Sequence, residues 1–405
     1  ITGQKIFITW GEHDLTENTV HIVLARLEGA PAGTKGISCF IVPQFLLNAD
    51  GSLGAENDVK CVSIEHKTGI KASPTCVLSY GDNGGAVGYI IGEENHGMSY
   101  MFTMMNQARL GVGLEGLAVA ERAFQQALEY SVMRRQGRAP GAPAGESSQI
   151  IDHPDVKRML VTMKSTIEAL RRLIYWNAAC IDIAAHHPDA AERETASDMA
   201  ALLTPLSKGW GTDMGVELTG TAIQVHGGMG FIEDTGAAQS LRDARISTIY
   251  EGTTGIQAAD LAGRKFARDG GAALTALMVD VHTELSAPAS GEAETVRLAV
   301  LSVLPAYEQA ARGFLGAMGQ DPRVLGALAV PFLRLSGLVL GGWLQARAAR
   351  HAATLLGAGR DPDFHRGKLQ SARFYAEHLL PQAHGYAALM RGGAAAVTEA
   401  DAALL

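Results

Sequence analysis

The sequence predicts an α+β protein: a partial antiparallel β-barrel or sheet, then a helical bundle, then an additional C-terminal helical domain. Three observations carry this expectation. Up to about residue 97, apolar residues come in short β-rich runs broken by Gly, Pro, Asn and Asp, the punctuation of strands and turns. From Gly97 to about residue 135 they recur at helical spacing, a stretch longer than an ordinary globular helix and suited to a bundle. Beyond about residue 268 the chain is again helical and rich in Ala and Leu. The expected domains are 1–97, 98–268 and 269–405.

The strand candidates are KIFITW, TVHIVLARL, ISCFIVPQFL, VKCVSI, TCVLSY and AVGYIIG. A Gly/Pro/Ala-rich break, QGRAPGAPAGESSQ, interrupts the helical region, and helices resume at HPDVKRMLVTMKSTIEALRRLIYWNAACIDIAAH and ERETASDMAALLTPLSKGWGTDMGVELTGTAIQVH. Residues 271–405 balance eleven basic against eleven acidic side chains.

Composition narrows the function. With 405 residues, 47% of them hydrophobic, the chain can build large aliphatic cores. A net charge of -8, dispersed along the chain, argues against a phosphate-backbone binder and a polybasic membrane anchor. Small molecules or a second copy are the expected partners, with no nucleic acid. Cys39, Cys61, Cys76 and Cys180 are far apart in sequence and form no C-x-x-C pair, which fits a reducing compartment and hence the cytoplasm. No apolar run approaches the roughly 20 residues that span a bilayer, so no membrane insertion is expected. The N-terminus lacks a signal-peptide pattern. The chain opens on Ile1 in a strand-like segment, as a processed or partial chain would.

Three motifs bear on chemistry. GVGLEG, Gly111 to Gly116, matches a dinucleotide fingerprint, but it lies inside a helical run and not after a strand. Its glycines are better suited to close helix–helix packing. QVHGGMGF, Gln224 to Phe231, ends a long helix and offers adjacent glycine amides, either as a plain C-cap and turn or as an anion cradle. RISTIYEGTTGIQ, Arg245 to Gln257, places a single carboxylate, Glu251, in a turn, with no second acid, histidine or metal cluster beside it in sequence.

QVHGGMGF followed by LRDARISTIYEGTTGIQ closely resembles the C-terminal signature of the acyl-CoA dehydrogenase family. KIFITWGEHD resembles that family's flavin-facing β segment, GEENHGMSYMFTMMNQARLGVG the entry to its helical domain, and MRRQGR its flavin-contacting loop. The likeness is co-linear from residue 1 to about 265. Residues 270–405 look like the extra helical domain of the larger bacterial members, including those acting on methylmercaptopropionyl-CoA and those with broad acyl-chain tolerance.

The resemblance implies FAD-dependent α,β-dehydrogenation of an acyl-CoA thioester. By motif position Glu251 would be the catalytic base. Free glutamate, with a pKa of about 4.3, is a weak base, so such a site must desolvate it. Tyr250 would supply part of the apolar wall and Gly252 an open turn. Asn106 and Arg109 would contact substrate. Phe7, Ile8 and Thr9 would lie on the flavin, Phe7 standing where tryptophan is more usual. Trp10 would point to the opposite face if the strand simply alternates. Arg134, Gln136 and His153 would reach FAD, the first two that of a neighbouring subunit. Gln224, Gly227 and Gly228 would contact its adenylate side, and Thr253 and Gly255 the segment beyond the base. Gly255 replaces a usual glutamine. The implied partners are an electron-transfer flavoprotein and a second copy of the chain. Competing readings are an acyl-CoA oxidase, a DNA-binding alkylation-response flavoprotein, which should carry a basic C-terminal region, and a non-catalytic helical scaffold.

The family's N-terminal helical domain and first β segment have no counterpart in these residues. The 405-residue chain by itself is therefore expected to hold FAD weakly or not at all; purification of this chain yellow, with stoichiometric flavin by absorbance, would contradict this.

Overall fold

The computed structural model describes residues 1–404. The chain divides into two compact units, Ile1–Ala108 and Arg109 onward.

The first unit is antiparallel β-structure: β1 (Gly3–Thr9), β2 (Val20–Arg26), β3 (Ile37–Pro43), β4 (Phe45–Leu47), β5 (Leu53–Glu56), β6 (Val59–Ile64), β7 (Thr75–Tyr80) and β8 (Tyr89–Ile91). They form two three-stranded sheets, β1-β7-β6 and β2-β3-β8, and a β4-β5 hairpin. The β2–β3 ladder runs without a register shift from Val20 opposite Pro43 to Arg26 opposite Ile37. Its inward residues Val23, Phe40 and Val42 join Val59, Cys76, Leu78 and Tyr80 in one core. β1 is less regular, with its register against β7 breaking between Lys5 and Ile8.

Three sequence expectations need adjustment here. ISCFIVPQFL is two strands, because β3 ends at Pro43, whose missing N–H cannot continue a ladder. The β5 segment LGAE has no strand-like composition. It forms because Asn48 closes the turn, its N–H donating to the Ser52 carbonyl at 2.9 Å and its side chain to Ser52 Oγ at 3.0 Å. Cys61 and Cys76, distant in sequence, sit on neighbouring strands; burial and a hydrogen bond with Cys76 push the Cys61 thiol up to about 11.

Helix α1 (Gly97–Met133) starts in the first unit and continues into the second, which adds α2 (Pro154–His186), α3 (Ala190–His226), α4 (Ala237–Arg245), α5 (Thr254–Ala259), α6 (Ala272–Ser286), α7 (Glu292–Gln320), α8 (Arg323–Gly357), α9 (Pro362–Phe374), α10 (Gln382–Gly392) and α11 (Ala394–Thr398). Two of the three GVGLEG glycines serve packing: a Cβ on Gly113 would meet the Ser207 carbonyl at 2.5 Å, and one on Gly116 the Gly211 carbonyl at 2.9 Å, both on α3, whereas Gly111 faces open space. Without side chains at positions 113 and 116, α1 and α3 come into backbone contact.

The expected boundary near residue 268 does not interrupt the core. One hydrophobic cluster runs from Leu117 and Ile167 through Trp210 to Leu340, Tyr375 and Met390. The reason is α8, which is apolar on nearly all sides and must be covered on all of them. It contains an 18-residue window of mean hydropathy 1.9, of which 67% is buried among the other helices. By length and composition α8 is long and apolar enough to cross a bilayer, contrary to the expectation that no apolar run approaches that length. α8 meets α3 through small residues. A Cβ on Gly337 would clash with the Trp210 indole, and one on Gly341 would meet Trp210 at 2.9 Å and the Tyr375 hydroxyl closer still.

Gly337→Ala is therefore expected to destabilise the helical unit by about 1–3 kcal/mol through overpacking. Gly326→Ala, on the same helix with open space where its Cβ would stand, should be neutral or stabilising by up to about 1 kcal/mol; thermal unfolding of the two variants compares them directly.

Candidate active site

Helix α3 stops because Gly227 takes φ 59° and caps it, a left-handed conformation that suits glycine. A short turn leads to α4, and a further turn leads to Tyr250. Glu251 and Gly252 then follow in the left-handed region, φ 53° and 90°. Glycine adopts it freely, whereas a glutamate there stores about 1–3 kcal/mol of strain and persists only where its surroundings fix it.

Those surroundings are buried polar groups. Lys208 on α3, with no exposed surface, donates from Nζ to the Gly252 carbonyl at 2.6 Å. Gln257, equally buried, donates from Nε2 to the Glu251 carbonyl at 3.2 Å and the Gly252 carbonyl at 3.3 Å. On the far side Thr253 caps α5 by accepting from the Ile256 N–H at 3.3 Å, and the Thr254 hydroxyl donates to Asp213 Oδ1 at 2.7 Å. The peptide is pinned while the Glu251 carboxylate stands exposed. Its backbone N–H has no acceptor among the described residues.

The charges beneath the turn are coupled. Burial pushes Lys208 down to about 8, against the pull of Asp213, Glu251 and Glu115 and with the push of Arg109. Glu115 is raised, chiefly by burial, and accepts the hydroxyl hydrogen bond of Tyr250. Burial, together with that partner, also raises the Tyr250 phenol. Tyr250 is half-buried and its hydroxyl end is engaged, so only part of the ring can wall a pocket.

Arg109 was expected at the substrate. The structure turns it inward: it is 4% exposed, and Nη1 donates to the buried Asp260 at 3.1 Å, with Arg264 3.8 Å from the second carboxylate oxygen. A buried guanidinium needs such a counter-charge, and Asp260 lies too far along the chain for sequence spacing to suggest it. Asn106 is exposed.

Most of the other predicted residues are exposed; Ile8 and His153 are half-buried. Arg134 and Gln136 are joined at 3.1 Å. His153 does not cap α2 with its side chain; its Nε2 instead donates to the Gln136 carbonyl at 2.9 Å, closing the 134–149 loop onto the start of α2. Gln224, Gly227 and Gly228 are exposed, and neither glycine has an atom within 4 Å of where a Cβ would be. Gly255 is nearly as open, meeting only Thr253 Oγ1 at 3.7 Å. In the first unit, Phe7 is 68% exposed at φ 60°, Ile8 packs toward the core, Thr9 pairs with Thr75, and Trp10 has φ 54°. With left-handed residues at 7 and 10, simple alternation does not describe where the Trp10 ring points.

Lys208, Asp213, Gln257, Glu115 and Asp260 escape the sequence reading. Only Lys208, a lone cation in the small apolar run TPLSKGWG, leaves a trace.

Among solved structures, the fold is similar to that of an acyl-CoA dehydrogenase complexed with FAD from Bacillus anthracis: TM-score 0.72, 17% identity, covering 96% of this chain and 62% of that one. The architecture is thus of the acyl-CoA dehydrogenase class. Residues 95–266 match the acyl-CoA dehydrogenase C-terminal domain and residues 276–401 the acetyl-CoA dehydrogenase C-terminal-like family, and the chain belongs to the acyl-CoA dehydrogenase family. It is 46% identical to 3-methylmercaptopropionyl-CoA dehydrogenase of Ruegeria pomeroyi over 94% of its length, and 36% identical to a butyryl-CoA dehydrogenase of Syntrophomonas wolfei over 95%. It spans 64% and 65% of the length of those two relatives.

Lys208 supplies a pH test. Between about 8 and 10.5 the unfolded chain keeps a proton on this side chain that the folded chain has released, so its contribution to stability rises with pH across that window and is at its least below it. Relative to Lys208→Met, the wild-type chain should gain stability between about pH 7.5 and about pH 9.5 in denaturant titrations.

Proposed function

We propose that the protein of which this chain is part oxidises an acyl-CoA thioester to the trans-2-enoyl-CoA, with Glu251 as the base that removes the α-proton. The observation that carries this reading is the Glu251 turn: a strained, left-handed glutamate whose peptide is gripped from below, whose carboxylate is free, and whose N–H has no internal acceptor. Strain held in place by buried polar groups is a mark of functional sites. A carboxylate and an N–H offered by one residue suit a substrate whose acidic C–H lies next to a carbonyl. The N–H would take the thioester oxygen as enolate charge develops, and the carboxylate would take the proton.

Residues of this chain fit FAD. The Gly227 N–H is spent on the Gln224 carbonyl as the α3 cap, so what Gly227 and Gly228 offer an adenylate group is an exposed surface free of side chains, while Phe7 offers an exposed aromatic face of the kind that stacks on a flat ring. Phe7, Ile8 and Thr9 would lie along the ring system. Gln224, Gly227, Gly228, Arg134, Gln136 and His153 would serve the adenylate and pyrophosphate end, and Thr253 and Gly255 the segment beside the base. When bound, FAD supplies the acceptor for the hydride lost from the β-carbon. Arg134 and Gln136 would act on the FAD of a second subunit, so the smallest working assembly is a homodimer. The substrate is a CoA thioester with hydrogens on both α and β carbons, Asn106 and Tyr250 lining its path and Gly252 keeping the turn open. An electron-transfer flavoprotein in the cytoplasm receives the electrons; oxygen consumption in its absence would identify an oxidase instead.

The test is anaerobic stopped-flow absorbance of the complete, flavin-loaded protein mixed with a panel of acyl-CoAs. One ester should bleach the flavin band. Glu251→Gln should slow that bleaching by about 10²–10⁴-fold while still binding the ester. A wild-type protein that binds FAD but is reduced by no acyl-CoA would overturn the reading.

A further inference from the structure

The turn that carries Glu251 is held on one face by Lys208 and Gln257. Its other flank is tied to a residue more than eighty positions later. Thr254, the first residue of α5, donates to Asp213 Oδ1 at 2.7 Å. The second oxygen of Asp213 accepts from Arg334 Nη2 on α8 at 3.1 Å, and the same nitrogen lies 2.9 Å from Glu217. The Asp213 side chain is only 10% exposed, so both its oxygens are spent on these two partners. On α8 next to Arg334, Leu333 reaches the same place from the apolar side: it and Gln257 crowd the spot where a Cβ on Gly209 would be.

We propose that Arg334 is a positioning residue for Glu251, acting through Asp213 and Thr254, and that α8 is thereby a working part of the active site. This rests on the assignment of Glu251 as base. The left-handed backbone of Glu251 gives the turn a standing tendency to relax. Lys208 and Gln257 grip the carbonyls of residues 251 and 252 but set no direction for α5. The Asp213–Thr254 bond sets it, and it depends on Arg334. Without the guanidinium, Asp213 is a buried carboxylate lacking its salt-bridge partner, and such a group moves toward water or the nearest cation. The nearest cations it already feels include Lys208. Moving toward Lys208 would loosen the Gly252 tie as well. The chemistry is sensitive to this because base and α-carbon must approach with sub-ångström accuracy.

The experiment uses the complete, FAD-loaded protein, with Arg334→Met, Arg334→Lys and the milder Thr254→Val, which removes only the hydroxyl. Arg334→Met and Thr254→Val should lower the rate constant of flavin reduction at saturating acyl-CoA by about 10-fold, with the dissociation constant of the ester within about twofold, and Arg334→Lys should recover part of the loss. In the same variants, hydrogen exchange of amides 251–257 should quicken while that of α2 stays unchanged. Unchanged reduction rates overturn the proposal, as does a loss accompanied by faster exchange throughout the helical unit, which would mark plain destabilisation. If the wild type is reduced by no ester, the functional reading fails instead, and the exchange pattern alone decides whether Arg334 holds the turn.

Discussion

A protonated lysine with no exposed surface is costly, and the helical unit is arranged around one. Lys208 is tolerated because Asp213, Glu115 and Glu251 surround it with negative charge and because its ammonium has a backbone carbonyl to grip. Two of those acids have partners of their own, Asp213 with Arg334 and Thr254 and Glu115 with Tyr250, and the nearby Arg109 is offset by Asp260. The result is a buried network in which the position of the Glu251 peptide is one member's hydrogen bond. In a low-dielectric interior such networks hold their members firmly when complete and fail expensively when one is removed.

Helix packing makes the network possible. Glycines on α1 and α8 bring those helices against α3, so Lys208, Asp213 and Trp210, which share one stretch of α3, are covered from both sides. The additional C-terminal helices continue the core beneath the Glu251 turn, with Trp210 filling the space left by Gly337 and Gly341. A compact unit beginning at Arg109 is the consequence, and the family matches at 95–266 and 276–401 describe two halves of one packed body.

The sequence made some of this legible and hid the rest for identifiable reasons. Strands β1, β2, β3, β6, β7 and β8 and helices α1–α3 follow from periodicity and breakers, since those signals are local. Strand β5 was invisible because a side-chain turn at Asn48 makes it and residue preference does not. Glu251 was found through its neighbours in the chain, Tyr250, Gly252 and Thr253. The groups that hold it were not, because Lys208, Asp213, Asp260 and Arg334 converge from separate helices, and a single sequence carries no record of which distant charges meet. Arg109 illustrates the point: its motif position implies a substrate contact, and only Asp260, on the helical segment that follows α5, explains why it is buried.

Because α8 provides the cover over Trp210 and the guanidinium beside Asp213, the segment that carries Glu251 cannot reach its final form as it leaves the ribosome. Residues 109–268 emerge first, with the indole of Trp210 and the flank of α3 still facing water, and they must wait for roughly the last third of the chain before the polar groups that hold the Glu251 turn are buried. Chains emerge from the N-terminal end and units fold when their contacts are complete. The order of synthesis thus keeps the strained glutamate slack until the end, and a chain cut short before α8 would present the whole signature motif without the means to hold its one carboxylate in place.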